Sequence, residues 1–466
     1  MTEPLIIGAM VRTLGAYPSG WRHPGAHTDP QTDAQILRRI ARLAEDARLD
    51  YLFFGDWLAT GPDLEFRDPY LLARIDPLSA VLFLAGITER IGLIATVNST
   101  YADPYATARA TASLDLLTAG RGGVNLVTGA EPRAAANHGR EAHADNEARY
   151  NRAEEFVLAL RLLWESWDAD AWVADADRGV LIDTDGLRGA AFAGAHVRVE
   201  GALNVARPPQ QHPPIVHAGT SPRSRDLAAR EADLVLIAAG DPVEAAATRA
   251  SLRALAAAAG RDPEDLKVIV PVLPVIAETD AGARSIVDRL LRLVPIDDGS
   301  GHADRPAFPA NRSLAAFLAY AGFAPDHPAH SATADDVIPA PTAAGFEERA
   351  ARTLESVLSN TGRDVAGAHP VTWRHLIAAQ AVPANFVVGS PAVVVDHFEH
   401  WRDAGAADGF NVLSAFQPAQ FEAFTALAAP ELRRRGLLGR EGATLRDRLS
   451  LGQPRLLRVR EPAGTR

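Results

Sequence analysis

Short runs of consecutive apolar residues recur along this chain, separated by longer stretches in which apolar positions return every three or four residues. The first pattern is that of a strand covered on both faces, the second that of an amphipathic helix. The alternation is clearest from Ile91 to Thr128. IGLIATV is apolar over the length of a strand, polar NSTY breaks it, and the Asp103-Pro104 step resets the backbone. Ala106 to Leu117 then carry small and apolar residues at helical spacing until Gly120 and Gly122 end the run, and GVNLVT reads as the next strand. Two buried strands joined by a helix lie parallel, and ligands sit at their carboxyl ends. Those ends carry Thr96, Asn98, Asn125 and Thr128. Such uncharged donors and acceptors suit a ring edged with carbonyls and amides better than a metal ion. Polar residues also simply follow buried strands, so this unit alone leaves both readings open.

The same alternation predicts strands at LIIGAMV, YLFFGD, IVHAG, LVLIAA, KVIVPVLPVIA and GFNVLSA, eight in all. Helices are expected from about Asp33 to Arg48, from about Asp76 to Gly86, through NEARYNRAEEFVLALRLLWESW, after TSP at Thr220, in the Ala-rich stretch before Lys267, from about Phe346, and from Ala392 to Ala404. Pro271 and Pro274 mark a strand end or bend, and VVGSP a turn. Residues 168–212 read as an excursion with a small hairpin around AHVRVEG. Residues 297–345, dense in Pro, Ala, Asp and His without a period, read as a mobile insertion and candidate lid. Eight strands separated by helical segments predict an α/β fold, a (β/α)8 TIM barrel, with its site on the carboxyl face. It would span residues 1–450 as one domain, with a charged tail at 451–466. A doubly wound sheet competes, but no GxGxxG follows a strand.

Composition narrows the function. The 466 residues carry 47 basic and 58 acidic side chains, a net charge of -11, which provides no field for gripping nucleic acid or anionic lipid. With no cysteine there is no disulfide, thiolate nucleophile or Cys-ligated zinc. MTEPLIIGAMV lacks the features of a signal peptide or membrane span, so a cytoplasmic location is expected.

Gly219, Thr220 and Ser221 lie between a strand and a helix start, where free N–H groups and two hydroxyls suit a phosphate, as they also suit a plain helix cap. Arg223 and Arg225 nearby favour the phosphate. His397 and His400, and His138 and His143, lack zinc-enzyme spacing, so no metal is expected. No GxSxG elbow appears, and Asp56 is the one carboxylate clearly placed at a strand end, thin support for a glycosidase. WRHP, after the first strand, brings Trp21, Arg22 and His23 to the site face, where His23 is a general acid or base or merely orders its loop.

Ordered segments running nearly end to end, among them WRHP, FFGDW, TERIGLIATVNSTYADPYATAR, SLDLLTAGR, RYNRAEEFVLALRLLWESW, AGTSPRSRDLAAREAD and GSPAVVVDHFEHWRDAGAADGFNVL, resemble the bacterial luciferase-like flavin monooxygenases. The likeness is to the branch containing nitrilotriacetate, long-chain alkane and dibenzothiophene sulfone monooxygenases. That resemblance implies a TIM barrel that receives reduced FMN from a separate NAD(P)H:flavin reductase and reacts it with O2, through a flavin hydroperoxide, to oxidise a small organic substrate. It also implies a homodimer or homotetramer. Asp56, Thr96 and Asn125 would line the isoalloxazine. Asn146, Tyr150, Gly219, Thr220 and Ser221 would hold the ribityl chain or phosphate. Tyr17 and Trp21 would border the substrate, and His23 and His138 are the catalytic candidates. Where relatives commonly read WNVVTS this chain has VNLVTG, so Gly129 replaces a hydroxyl and Ala130 stands where some place a histidine. NHG replaces NFG at His138, and Asn146 opens a motif usually begun by histidine. An F420-dependent hydride-transfer enzyme of the same fold, or a flavin-binding protein without turnover, are the alternatives.

Overall fold

In the computed structural model, which describes residues 3–219, 221–381 and 385–457, eight parallel strands close into a barrel. They are β1 (Ile6–Met10), β2 (Tyr51–Phe54), β3 (Gly92–Asn98), β4 (Gly122–Val127), β5 (Ile215–Ala218), β6 (Leu234–Leu236), β7 (Lys267–Ile276) and β8 (Gly409–Val412). Each pairs with its sequence neighbour, and β8 pairs with β1 to complete the ring. Alternation along each strand divides its side chains between two cores. On β3, Leu93 and Ala95 face the helices, whereas Ile94 joins Ile6, Tyr51, Phe53, Val216, Leu234, Leu236 and Ile269 inside the barrel.

The barrel floor comes from the far end of the chain. Leu445, on the short helix Leu445–Arg448, and Leu449 and Leu451 beyond it pack into the interior cluster. The charged tail expected from residue 451 therefore begins with a buried plug. Truncating Leu445, which is fully buried, would cost about 2–5 kcal/mol.

Helices α1 (Asp33–Asp46), α2 (Pro77–Ala85), α3 (Pro104–Leu117), α4 (Asn146–Trp164), α5 (Pro222–Glu231) and α6 (Pro242–Ala258) follow β1 to β6 in turn. Four of them begin with proline behind an Asp or Ser cap, where the missing N–H costs nothing. Residues 168–212 leave this rhythm as expected, with two small hairpins rather than one: Trp172–Asp175 with Val180–Ile182, and Phe192–Ala193 with Arg198–Val199.

Between β7 and β8 the structure departs from the sequence reading. Pro271 and Pro274 lie inside β7, not at its end. β7 pairs with β6 only over Lys267–Ile269, with β8 over Ile269–Val272, and then with an added strand, Phe386–Gly389, over Leu273–Ile276. Both prolines come after β6 has ended, so no donor is demanded on that side. The segment VVGSP is accordingly most of a strand and the cap of the next helix, Pro391–Asp403.

That helix, through Val394, Val395, Phe398 and Trp401, is the one that covers the barrel here. The helices α7 (Asp280–Leu293), α8 (Leu314–Tyr320), α9 (Glu348–Thr361) and α10 (Trp373–Ala379) instead build a separate core with Val287, Leu290, Phe317, Leu318, Val357, Trp373 and Leu376. The 297–345 stretch is part of this body. It contains α8 with Phe317 and Leu318 fully buried, rather than being a loop without structure. Its helix was hidden because α8 is apolar on nearly every side and so shows no amphipathic period.

Candidate functional site

The carboxyl ends of β2 to β5 enclose a cavity of about 300 Å³ lined by Asp56, Trp57, Asn98, Thr128, Gly129, Glu131, Tyr150 and Gly219, among others. A larger cleft of about 540 Å³ lies in the excursion between α7, α9 and the strand Phe386–Gly389, and one of about 440 Å³ lies at the barrel floor. The barrel rim is where the strand-end chemistry converges.

Thr96 and Asn125 are register partners on β3 and β4. Asn125 Nδ2 donates to Thr96 Oγ1 at 2.8 Å, while Asn125 Oδ1 is buried and has no partner. A buried amide oxygen left open is costly unless a ligand or water donates to it. Asp56 ends the β2 rim, where its carboxylate accepts from the Trp57 N–H at 2.7 Å. Burial raises its pKa, against the lowering effect of that hydrogen bond and of Arg74.

The β5–α5 junction forms the other end. Ser221 caps α5 and accepts from the Ser224 N–H at 3.2 Å. A Cβ added to Gly219 would fall 2.1 Å from Ser224 Oγ and 3.5 Å from the Tyr150 hydroxyl, so only glycine permits this approach. Thr220 lies outside the described residues. Behind the junction, the Nδ1–H of His217 donates to the Leu126 carbonyl at 2.7 Å, which leaves Nε2 to accept from the Ser224 hydroxyl at 2.9 Å. Burial lowers the pKa of His217 and keeps it neutral in this role.

Arg223 turns away from the junction, pairing with Glu154 at 3.0 Å and bonding Asn151 at 2.7 Å, so it does not add charge to a phosphate cradle as its position in sequence suggested. The guanidinium at the rim is Arg149, which donates to the Gly129 carbonyl and, at 2.7 Å, to His143 Nε2. The Nδ1–H of His143 then donates to the Tyr101 hydroxyl at 2.7 Å. His138, exposed, stacks on Tyr101 with ring centroids 4.3 Å apart. Asn146 is exposed, does not line the cavity, and holds Arg149 Nη2 at 3.1 Å. Gly129 has a left-handed φ of 65°, and a Cβ there would meet Asn98 Nδ2 at 2.2 Å. The space a hydroxyl side chain would need is taken by Asn98.

Tyr17, Trp21 and His23 lie across the rim, on the β8 and β1 side. The Tyr17 N–H donates to the Ala415 carbonyl beyond β8, and its ring is buried against Phe386. His23 stacks on Phe416 at 4.1 Å, and burial lowers its pKa. Trp21 is 42% exposed. The strap at 298–312 spans from the excursion to the β2 side: Arg305 grips Glu65 at 2.8 and 2.7 Å, and Phe308 meets Phe66 edge-on at 5.1 Å. Asn411 on β8, fully buried with both amide atoms unpartnered, was not singled out from sequence. A lone amide inside the apolar run GFNVL was the available signal. Among the described residues, no group of three or more His, Asp or Glu side chains gathers as for a metal ion, and no helix is long and apolar enough to cross a membrane.

A closed (β/α)8 barrel with an uncharged amide–hydroxyl pair near the carboxyl ends of β3 and β4 and a glycine–serine helix junction after β5 is an architecture suited to a planar cofactor that carries an anionic tail. The luciferase-like monooxygenase family matches residues 17–408, and the chain belongs to that family as a flavin-dependent monooxygenase. It is 34% identical to nitrilotriacetate monooxygenase component A of Aminobacter aminovorans, covering 96% of this chain and 97% of that one. It is 31% identical to N-acetyl-S-(2-succino)cysteine monooxygenase of Bacillus subtilis (strain 168), covering 96% and 97%. Among solved structures it is similar to the EDTA monooxygenase of Chelativorans sp. BNC1, with 26% identity, a TM-score of 0.74 and coverage of 97% and 99%.

Proposed function

We propose that this chain is the oxygenase component of a two-component monooxygenase. It takes reduced FMN from a separate NAD(P)H:flavin reductase and places one oxygen atom of O2 into a small organic substrate. The observation that carries the reading is the open Asn125 Oδ1 beside Thr96, an acceptor suited to a ring N–H, two residues before Val127 and Asn98, which line the rim cavity together with Gly219 ahead of the Ser221 cap. The component A naming of the nitrilotriacetate enzyme supports a separate reductase.

In this reading Asn125, Thr96 and Asp56 orient the ring, while Gly219, Ser221 and Tyr150 take the ribityl chain and phosphate at a helix N-terminus. Bound reduced FMN supplies the electrons that activate O2. The protein's part is to position the partners and keep water out, which falls to the strap at 298–312 closed over the rim. His138 at the cofactor side and His23 at the substrate side are the groups placed to move a proton.

The test is turnover under ¹⁸O2 with an added NAD(P)H:FMN reductase and a panel of small organic substrates. One labelled oxygen per product molecule supports the reading. Labelled product that forms without FMN, or oxidation of substrate with no label, contradicts it.

A further inference from the structure

Five arginines are buried among the described residues: Arg121, Arg312, Arg440, Arg446 and Arg448. Four are wired into the fold. Arg121 donates to the Thr88 and Ile91 carbonyls, Arg440 to Glu3 and the Pro4 carbonyl, Arg446 to Asp233 and the His212 carbonyl, and Arg448 to the Arg90 carbonyl. Arg312 differs. It is 4% exposed, its side chain makes no hydrogen bond or ion pair to any described residue, and its Nη1 is buried without a partner. Its titratable neighbour is Tyr17, a phenol kept neutral by burial and 2% exposed, whose hydroxyl is likewise buried and unpartnered.

The two come from elements that meet over the barrel mouth. Tyr17 sits in the loop after β1, and Arg312 at the root of the strap, just before the Ser313 cap of α8. The walls around Tyr17 are apolar, with Leu273, Phe386 and Phe416. A guanidinium has only donors to offer, and the Tyr17 hydroxyl, free to donate, makes no hydrogen bond with it, so a group that accepts from both and carries negative charge would satisfy the two. A buried cation without a counter-charge is unfavourable, and a ligand that supplies the charge recovers that cost. Burial lowers the guanidinium to about 10, which still leaves it charged at neutral pH.

We propose that Arg312 and Tyr17 form the acid-binding end of the substrate site, so that the substrate is a small organic anion carrying a carboxylate or sulfonate. The inference rests on the monooxygenase reading only in calling the ligand a substrate. The oxyanion site itself is independent of flavin. Entry requires the strap to lift, and its hold on the opposite rim is the exposed Arg305–Glu65 pair.

The experiment is calorimetric titration of the flavin-free protein with succinate and with ethanesulfonate, beside the uncharged succinamide and ethanesulfonamide. At least one anion should bind and its amide should not, and the anion that binds identifies the oxyanion preferred. Arg312→Gln should weaken that binding at least 10-fold, Tyr17→Phe about 3-fold, and Arg312→Lys should restore part of the loss. The thermal midpoint of Arg312→Gln checks that it folds. Equal binding of amide and anion, no binding of either anion, or wild-type affinity in folded Arg312→Gln overturns the proposal. Failure of the ¹⁸O2 experiment alongside successful anion binding would instead remove the monooxygenase reading and leave the site.

Discussion

The two sides of the barrel mouth are built by different means. The β2–β5 side is made of strand ends and one helix start: Thr96 and Asn125 project from paired strands, and Ser221 caps α5 directly after β5. The β7–β8–β1 side is made of a loop and an inserted body with its own hydrophobic core, which places Tyr17, His23 and Arg312. A wall fixed by the ladder of a barrel keeps its geometry whatever its loops do, which suits a constant cofactor. A wall carried on an insertion can be rebuilt without disturbing the barrel, which suits a varying substrate.

The largest effect that sharpens this comparison is expected at Gly219. Gly219→Val drives a side chain into Ser224 Oγ and toward Tyr150, and should cut flavin-supported oxygenation at least about 100-fold, equivalent to about 2.7 kcal/mol, with far-UV circular dichroism unchanged. Asn125→Leu removes the open acceptor and the bond to Thr96, and should weaken reduced FMN by about 10-fold in an anaerobic titration.

Acid should separate the two sides. Burial pushes the Asp288 carboxyl of α7 up, but hydrogen bonds from His375 and Arg363, with the charges of Arg363 and Arg292, outweigh it and hold it well below the usual range. A depressed carboxyl contributes stability that is present above its unfolded value near 4 and is lost as pH falls below it. Asp115 of α3 runs the other way. Burial raises it to about 6 despite bonds from Gln210 and Gly122, so its contribution grows as pH falls from 6 toward 4. Lowering the pH below about 4 should therefore loosen the excursion before the barrel, read as earlier amide exchange in 280–293 than in 104–117. The smallest effect is expected at the exposed Arg305–Glu65 pair, worth up to about 1 kcal/mol. Arg305→Ala should lower the product formed per O2 consumed by up to about five-fold while leaving the Kd for reduced FMN within two-fold.

The same contrast explains what could be read from sequence. β3, α3 and β4 were legible because a continuous apolar run, a proline-initiated helix and a second run leave one way to lie in a parallel sheet. Thr96 and Asn125 stood out as polar positions near the ends of such runs, and Gly219 and Ser221 as the step from a strand to a helix start. On the opposite wall Tyr17, Trp21 and His23 were named through WRHP and the family resemblance, but the inserted body behind them was not legible. The amphipathic period of α9 reads the same whether it packs on a barrel or on an excursion, and α8 has no period at all. Arg312 is an ordinary arginine in a Pro-rich stretch until the fold shows it buried without a partner. Arg223 misled in the opposite sense: proximity in sequence to the helix start placed it near the phosphate, yet Glu154 and Asn151 on α4 draw it away.

The most direct test of the two-wall account is hydrogen–deuterium exchange of the protein with and without reduced FMN under anaerobic conditions. The account predicts slowed exchange at the β2–β5 strand ends, in residues 56–58, 98–101, 127–131 and 221–225, and no change in the excursion helices 280–293 and 348–361. Protection confined to those helices, around the cleft lined by Tyr320, Arg349 and Asn360, would contradict it, because the flavin would then bind on the wall assigned to the substrate side.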